Sequence, residues 1–147
     1  MFSSTSLPPR IYESLKTLCC LANAKGPVQA HEIAYSTGLP PAQTAKILQS
    51  MTWAGFVESG RVAKGGFWLV VPAGKIRVTD VTEFFAHHSP EGPEHSGDAV
   101  LRALAPAAAR CEKELGSITV ADIAELDRAL LTKKSARQMV HLSGRDN

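Results

Sequence analysis

From residue 11 onward, apolar positions recur with the period of a helix: Ile11, Leu15, Leu18, Cys19 and Ala22 fall on one side, with Glu13, Ser14, Lys16 and Thr17 between them. The spacing predicts an amphipathic helix over 11–24, ended by Gly26-Pro27, because glycine accepts a helix cap and proline cannot extend the hydrogen-bond ladder. A second, short helix is predicted over 30–36, with Ile33 and Ala34 inward and Gly38 at the flexible turn. Pro40-Pro41 then opens a third, since a proline in the first turn gives up only an amide that has no partner there. Ile47, Leu48, Met51 and Trp53 form its apolar side, and Gly55 stops it. The period next falls to two: residues 56–60 and 67–71 are β-rich runs around a Gly-containing loop, the pattern of a hairpin. Pro72 closes the second strand, and 78–85 predicts a fourth helix with Thr79 or Asp80 near its start as cap.

From His87 to Gly97 the chain is rich in Ser, Pro, Glu, Gly and His and has no apolar period, so it reads as a linker. Beyond it Leu101, Leu104, Ala108, Cys111 and Leu115 follow a 3-4-3-4 spacing, the pattern of a helix that packs along a narrow seam against another helix. Pro106 lies inside that helix and is expected to kink it. After Gly116, the segment Ser117 to Ile123 is expected to begin a last short helix running towards Leu131, and the polar stretch from Thr132 to Asn147 is expected to be partly disordered. The fold class is therefore mainly α with a small β-hairpin: a winged helix-turn-helix domain (1–86), a linker (87–97), a long dimerisation helix with a short following helix (98–131), and a polar tail (132–147).

Composition narrows the class. Of 147 residues, 44% are hydrophobic and 20% charged, as in a globular domain. No apolar run approaches the roughly 18 residues of a bilayer span, and Met1-Phe2-Ser3-Ser4-Thr5-Ser6 does not read as a signal peptide, so no membrane and a cytoplasmic location are expected. Three cysteines, an odd number without CxxC spacing, argue against a disulfide framework and a zinc knuckle. The net charge of +2 divides into +4 over residues 1–80 and −2 over the remainder, a front half suited to a polyanion. The sequence has no GxSxG, HExxH, P-loop or GxGxxG in its strand-helix context, so no enzyme is expected.

Within the helix-turn-helix, small Ala34, then Gly38, then apolar Ile47 let two helices cross closely. The third helix would lie in the major groove with Pro40, Pro41, Ala42, Ala45, Lys46 and Gln49 outward and Gln43 at the margin. Glutamine pairs with adenine, and lysine reaches guanine or phosphate, so Gln43, Lys46 and Gln49 are the candidate readers. Arg61 and Lys64, beside Gly65-Gly66 on the hairpin tip, place cations where a narrow minor groove would take them. Cys111, on the seam, reads first as a small buried hydrophobe and second as a redox thiol between two copies. Cys19 follows the core register, and Cys20 has no assigned role. His87, His88 and His95, near Glu91 and Glu94, have the donor types of a transition-metal site, but nothing fixes their geometry, so no metal is assigned. Trp53 and Trp68 are expected in the core under the wing, and Lys133, Lys134 and Arg137 on a solvated tail.

Over residues 10–125 the chain resembles the Rrf-type winged-helix regulators of bacteria, the family of IscR, NsrR and CymR. The resemblance rests on Gly26-Pro27-Val28, Glu32-Ile33-Ala34, Gly38-Leu39, Ala54-Gly55-Phe56-Val57, Arg61 with Gly65-Gly66-Phe67 and Leu69, Ile76 to Val81, and Ser117 to Asp122. It implies a homodimer joined through the helix at about 98–115, double-stranded DNA as partner, a palindromic operator, and Arg61 in the minor groove. Three departures matter. The wing reads Arg61-Val62-Ala63-Lys64-Gly65-Gly66 where the family has Arg-Gly-Pro-Gly-Gly-Gly, and the reading helix has Ala42-Gln43-Thr44-Ala45 where the family commonly has Ser-Tyr-Leu-Glu. The linker and the head of the dimer helix, where cluster-binding members place three cysteines, contain none, with Asp98 and Leu101 near those positions, so no cofactor is expected. The alternative to a DNA-binding regulator is a winged-helix module that kept the fold for protein interaction and lost DNA.

Overall fold

Paired prolines set where two of the helices begin. The computed structural model describes residues 7–61, 65–88 and 99–143. Helix α1 (Pro9–Asn23) starts with Pro9 in its first turn and buries Ile11, Leu15, Leu18, Cys19 and Leu21. Helix α2 (Ala30–Thr37) starts at a capping box, in which the Gln29 amide donates to Glu32 Oε2 at 2.9 Å, and ends at Gly38 with φ 71°. Helix α3 (Pro41–Trp53) buries Thr44, Ile47, Leu48 and Met51. It ends in a Schellman turn: the Gly55 and Phe56 amides donate to the Thr52 and Met51 carbonyls, and Gly55 has φ 79°.

That turn delivers the chain into β1 (Val57–Ser59), which pairs antiparallel with β2 (Phe67–Leu69) in the register Val57 to Leu69 and Ser59 to Phe67. The hairpin is also tied to the α1–α2 loop, because Val28 and Phe67 exchange backbone hydrogen bonds of 3.0 and 2.8 Å. After a 3₁₀ turn at Ala73–Lys75, helix α4 (Val78–His88) is capped by Asp80, whose carboxylate accepts the Arg77 amide at 2.8 Å. It takes in His87 and His88, two residues expected in the linker, and the rest of that segment, with His95, lies outside the described residues.

Helix α5 (Ala99–Leu115) is continuous across Pro106. Helix α6 (Val120–Ser143) begins at a Thr119/Asp122 capping box, and hydrogen bonds to Asp122 from the Thr119 amide and hydroxyl hold its carboxyl below the usual range. Far from short, α6 runs through most of the stretch expected to be disordered. The Val78 amide donates to the Ile118 carbonyl and the Val120 amide to the Ile76 carbonyl, which returns α6 to the body against α1. The core thus centres on α1, with Leu18, Ile33, Leu48, Met51, Val57, Ile76, Val81 and Val120 fully enclosed. Cutting Leu18, Ile33, Leu48, Met51 or Ile76 back to alanine should cost about 2–5 kcal/mol.

Candidate nucleic-acid interface

The face of α3 opposite its buried residues presents Ala42, Ala45, Lys46, Gln49, Thr52 and Trp53 to solvent. The helix is held firmly there, because Met51 and Leu48 lie in the core and the Thr44 hydroxyl donates to the Pro40 carbonyl. Lys46, Gln49 and Trp53 also line a recess of about 460 Å³ that reaches Ser59 and Phe67 of the hairpin, so reading helix and wing share one surface. Arg61 is exposed at the end of the recess formed by Gln29, Ser59, Gly60, Gly65 and Gly66, and among the described residues it makes no ion pair. Lys64 lies outside the described residues.

The two wing glycines differ. Gly65 is half-buried, whereas Gly66 is buried against the α1–α2 loop: a Cβ there would stand 2.8 Å from the Val28 carbonyl oxygen. Gly66 therefore lets two backbones approach and is not part of a loose tip. Gln43 is half-buried, and its Nε2 donates to Glu13 Oε2 of α1 at 2.7 Å. Among the described residues the side chains of Lys46 and Gln49 have no hydrogen-bond partner on the open face, while Gln43 is tied to a neighbouring helix.

Trp53 corrects an expectation. It is 73% exposed, not packed under the wing, whereas Trp68 is half-buried and lies over Gly60. The signal was present in the spacing, since Trp53 follows Lys46 by seven residues and Gln49 by four, and those separations share one helix face. Glu13 and Tyr35, the latter 91% exposed on α2, also escaped the sequence reading.

Away from this face, α5 presents Val100 and Leu104 at 61% and 57% exposure, and Ala108 and Cys111 are exposed as well. Cys111 is thus not buried within one chain. Leu115 departs from the row and packs against the core, and the side chain of Leu101 lies outside the described residues. His88 is occupied locally, with Nδ1 2.8 Å from the Phe84 carbonyl and its ring stacked on Phe84. Lys133, Lys134 and Arg137 project from helical α6 instead of from a loose tail. No helix among the described residues is long and apolar enough to cross a membrane.

The family model Rrf2, described as an iron-dependent transcriptional regulator, matches residues 10–126. IscR of T. potens is 25% identical with a TM-score of 0.67, over 83% of this chain and 88% of that one. CymR of Staphylococcus aureus is 24% identical (TM-score 0.65; 80% of this chain and 97% of that one). CymR of B. subtilis, the global cysteine regulator, is 23% identical (TM-score 0.66; 86% and 98%), and these two likenesses speak to the fold. No protein of curated function matches the chain by sequence.

The iron in the family's description raises the question of which side chains could hold it. Iron–sulfur clusters take thiolates. Burial, then the nearby Asp127 carboxylate, pushes the Cys19 thiol up to about 11, and burial also raises Cys20. Cys111 is on another helix, and among the described residues no three His, Cys, Asp or Glu side chains gather as a metal site. Among the described residues, then, no three such donors are gathered within one chain. With three helices leading into a hairpin, a solvent-facing third helix and a family match over most of its length, the chain belongs to the Rrf2 family of winged-helix, DNA-binding transcriptional regulators.

Proposed function

We propose that the chain acts as a homodimer that reads a palindromic operator with two α3 helices and two wings, and that it does so without an iron–sulfur cluster. The observation that supports this most is the exposed row of Leu104, Ala108 and Cys111 on α5, which the described residues of one chain leave open to solvent. Pairing two such helices covers them and sets two reading heads on one side of a duplex. Lys46 and Gln49 then meet base edges or phosphates in the major groove, and Arg61, with Lys64 beside it, enters the adjacent minor groove, where negative potential is strongest. A reader of chromosomal DNA works in the compartment that holds it, here the cytoplasm.

A salt titration of binding combined with sedimentation tests this reading. Affinity must fall as salt rises, must fall further with Arg61→Ala, and must belong to a dimer. The exposure of Tyr35 and Trp53 favours a second reading, a protein-interaction module. Equally weak binding to every duplex, with a defined protein partner bound through those aromatics, would establish it.

A further inference from the structure

The hydrogen bond from Gln43 to Glu13 joins residues 30 apart in sequence, one at the head of the reading helix and one on α1. An ionised carboxylate only accepts, so the Gln43 atom 2.7 Å from Glu13 Oε2 is the amide nitrogen. A glutamine in open solvent turns freely about its last torsion, and its oxygen and nitrogen change places at little cost. Beside Glu13 that exchange would set two acceptors against each other with no proton between them. Both residues are half-buried, so water replaces the lost contact less readily than on an open surface.

We propose that Glu13 is a positioning residue for DNA sequence selection: it holds the Gln43 amide in one sense, with Oε1 as the free acceptor and one hydrogen left on Nε2. This rests on the DNA-binding reading above. An edge with one acceptor and one donor matches adenine, whose N6 amino group and N7 lie side by side in the major groove; guanine offers only the acceptors O6 and N7, and thymine only O4 beside a methyl group. Ala42 and Ala45, exposed on the same stretch of helix, have no polar side-chain atoms with which to repeat the discrimination. Selectivity at one step of each half-site therefore depends on a carboxylate of a different helix.

The test is selection from a randomised duplex library by the full chain, followed by sequencing of the bound fraction, for the wild type, Glu13→Ala, Glu13→Gln and Gln43→Ala, with a melting curve for each. The wild type is expected to favour adenine at one position per half-site roughly tenfold over guanine or thymine. Glu13→Ala and Gln43→Ala should lose that preference at that position alone, and Glu13→Gln, whose amide can face either way, should weaken it with its melting curve retained. If both Glu13 variants select the wild-type sequence, or lose preference evenly across the site, the inference is wrong while the DNA-binding reading stands. A wild type that enriches no sequence overturns both.

Discussion

Replacing Gly66 with alanine tests how the wing is anchored. The added Cβ would lie 2.8, 2.9 and 3.0 Å from the carbonyl oxygen, carbonyl carbon and nitrogen of Val28, all backbone atoms that no side-chain rotation can move. Ordinary contact needs about 3.5 Å or more, so the wing and the α1–α2 loop must part by roughly half an ångström. They are pinned together by the two hydrogen bonds between Val28 and Phe67, at 3.0 and 2.8 Å. Overpacking of this kind costs about 1–3 kcal/mol, and weakening one of those bonds adds about 1 kcal/mol. At roughly 3 °C per kcal/mol for a chain of this size, the melting midpoint should fall by about 6–12 °C. Circular dichroism during heating reads this directly, with Gly26→Ala as the control: a Cβ there meets nothing within 4 Å, and φ is not positive, so its midpoint should hold or rise slightly. The Gly60 amide donates to the Gly66 carbonyl beside Arg61, so the same variant should also weaken DNA binding below its melting range. If Gly66→Ala melts with the wild type, the close approach at Val28 is not a constraint on the fold.

Leu104→Glu should leave the melting of the reading head unchanged, because Leu104 is exposed within one chain, yet raise the dimer dissociation constant roughly 10²-fold or more, since two leucines leave the pairing surface; sedimentation equilibrium measures it. Maleimide labelling of Cys111 should be slow in the concentrated dimer and speed up on dilution, while Cys19, buried in α1, stays unlabelled until the chain unfolds. Because the Cys19 thiol titrates at about 11 in the fold and near 9.0 in a free chain, the unfolded state loses its proton first, so stability should decline from about pH 9 to 11; alkaline denaturant titrations of Cys19→Ser against the wild type would show a smaller decline in the variant. Protein purified without air should be colourless, and an absorption band between about 400 and 450 nm would contradict the cluster-free reading.

How much of this could be read from the sequence follows from what each element packs against. Residues 9–88 hold their helices by burying one face, and a buried face writes its period into the chain; Ile33, Ile47 and Met51 mark it, and the hairpin announced itself by its glycines. The site was harder, because exposure of Lys46 and Gln49 follows from the same register but a cross-helix contact such as Gln43 to Glu13 does not: nothing in either local pattern says that two residues 30 apart will touch. Gly66 looked like a flexible tip because composition gives a glycine's freedom and not its neighbours.

Helix α6 shows the reverse failure. After Val120 and Ala124 it buries no side chain among its described residues, so it has no apolar stripe to find, and Leu126, Leu130, Leu131 and Met139 are all exposed. Beyond the turns that pack against α1, what keeps it helical is composition. From Val120 to Ser143 it has no Gly or Pro; Ala, Leu, Lys and Arg make up half of it, and a capping box fixes its start. Propensity without burial is a weak hold, since a helix of this kind gains little from tertiary packing. The far half of α6 should therefore exchange its amide hydrogens far faster than α1 or α3, and α5, on the proposal that its exposed row is the pairing surface, should be protected only as far as the chain is paired. Protection in α5 that rises with protein concentration while the far half of α6 stays fast would separate the helix that needs a second chain from the one that needs none; equal, concentration-independent protection in both would mean that α5 is not the pairing surface.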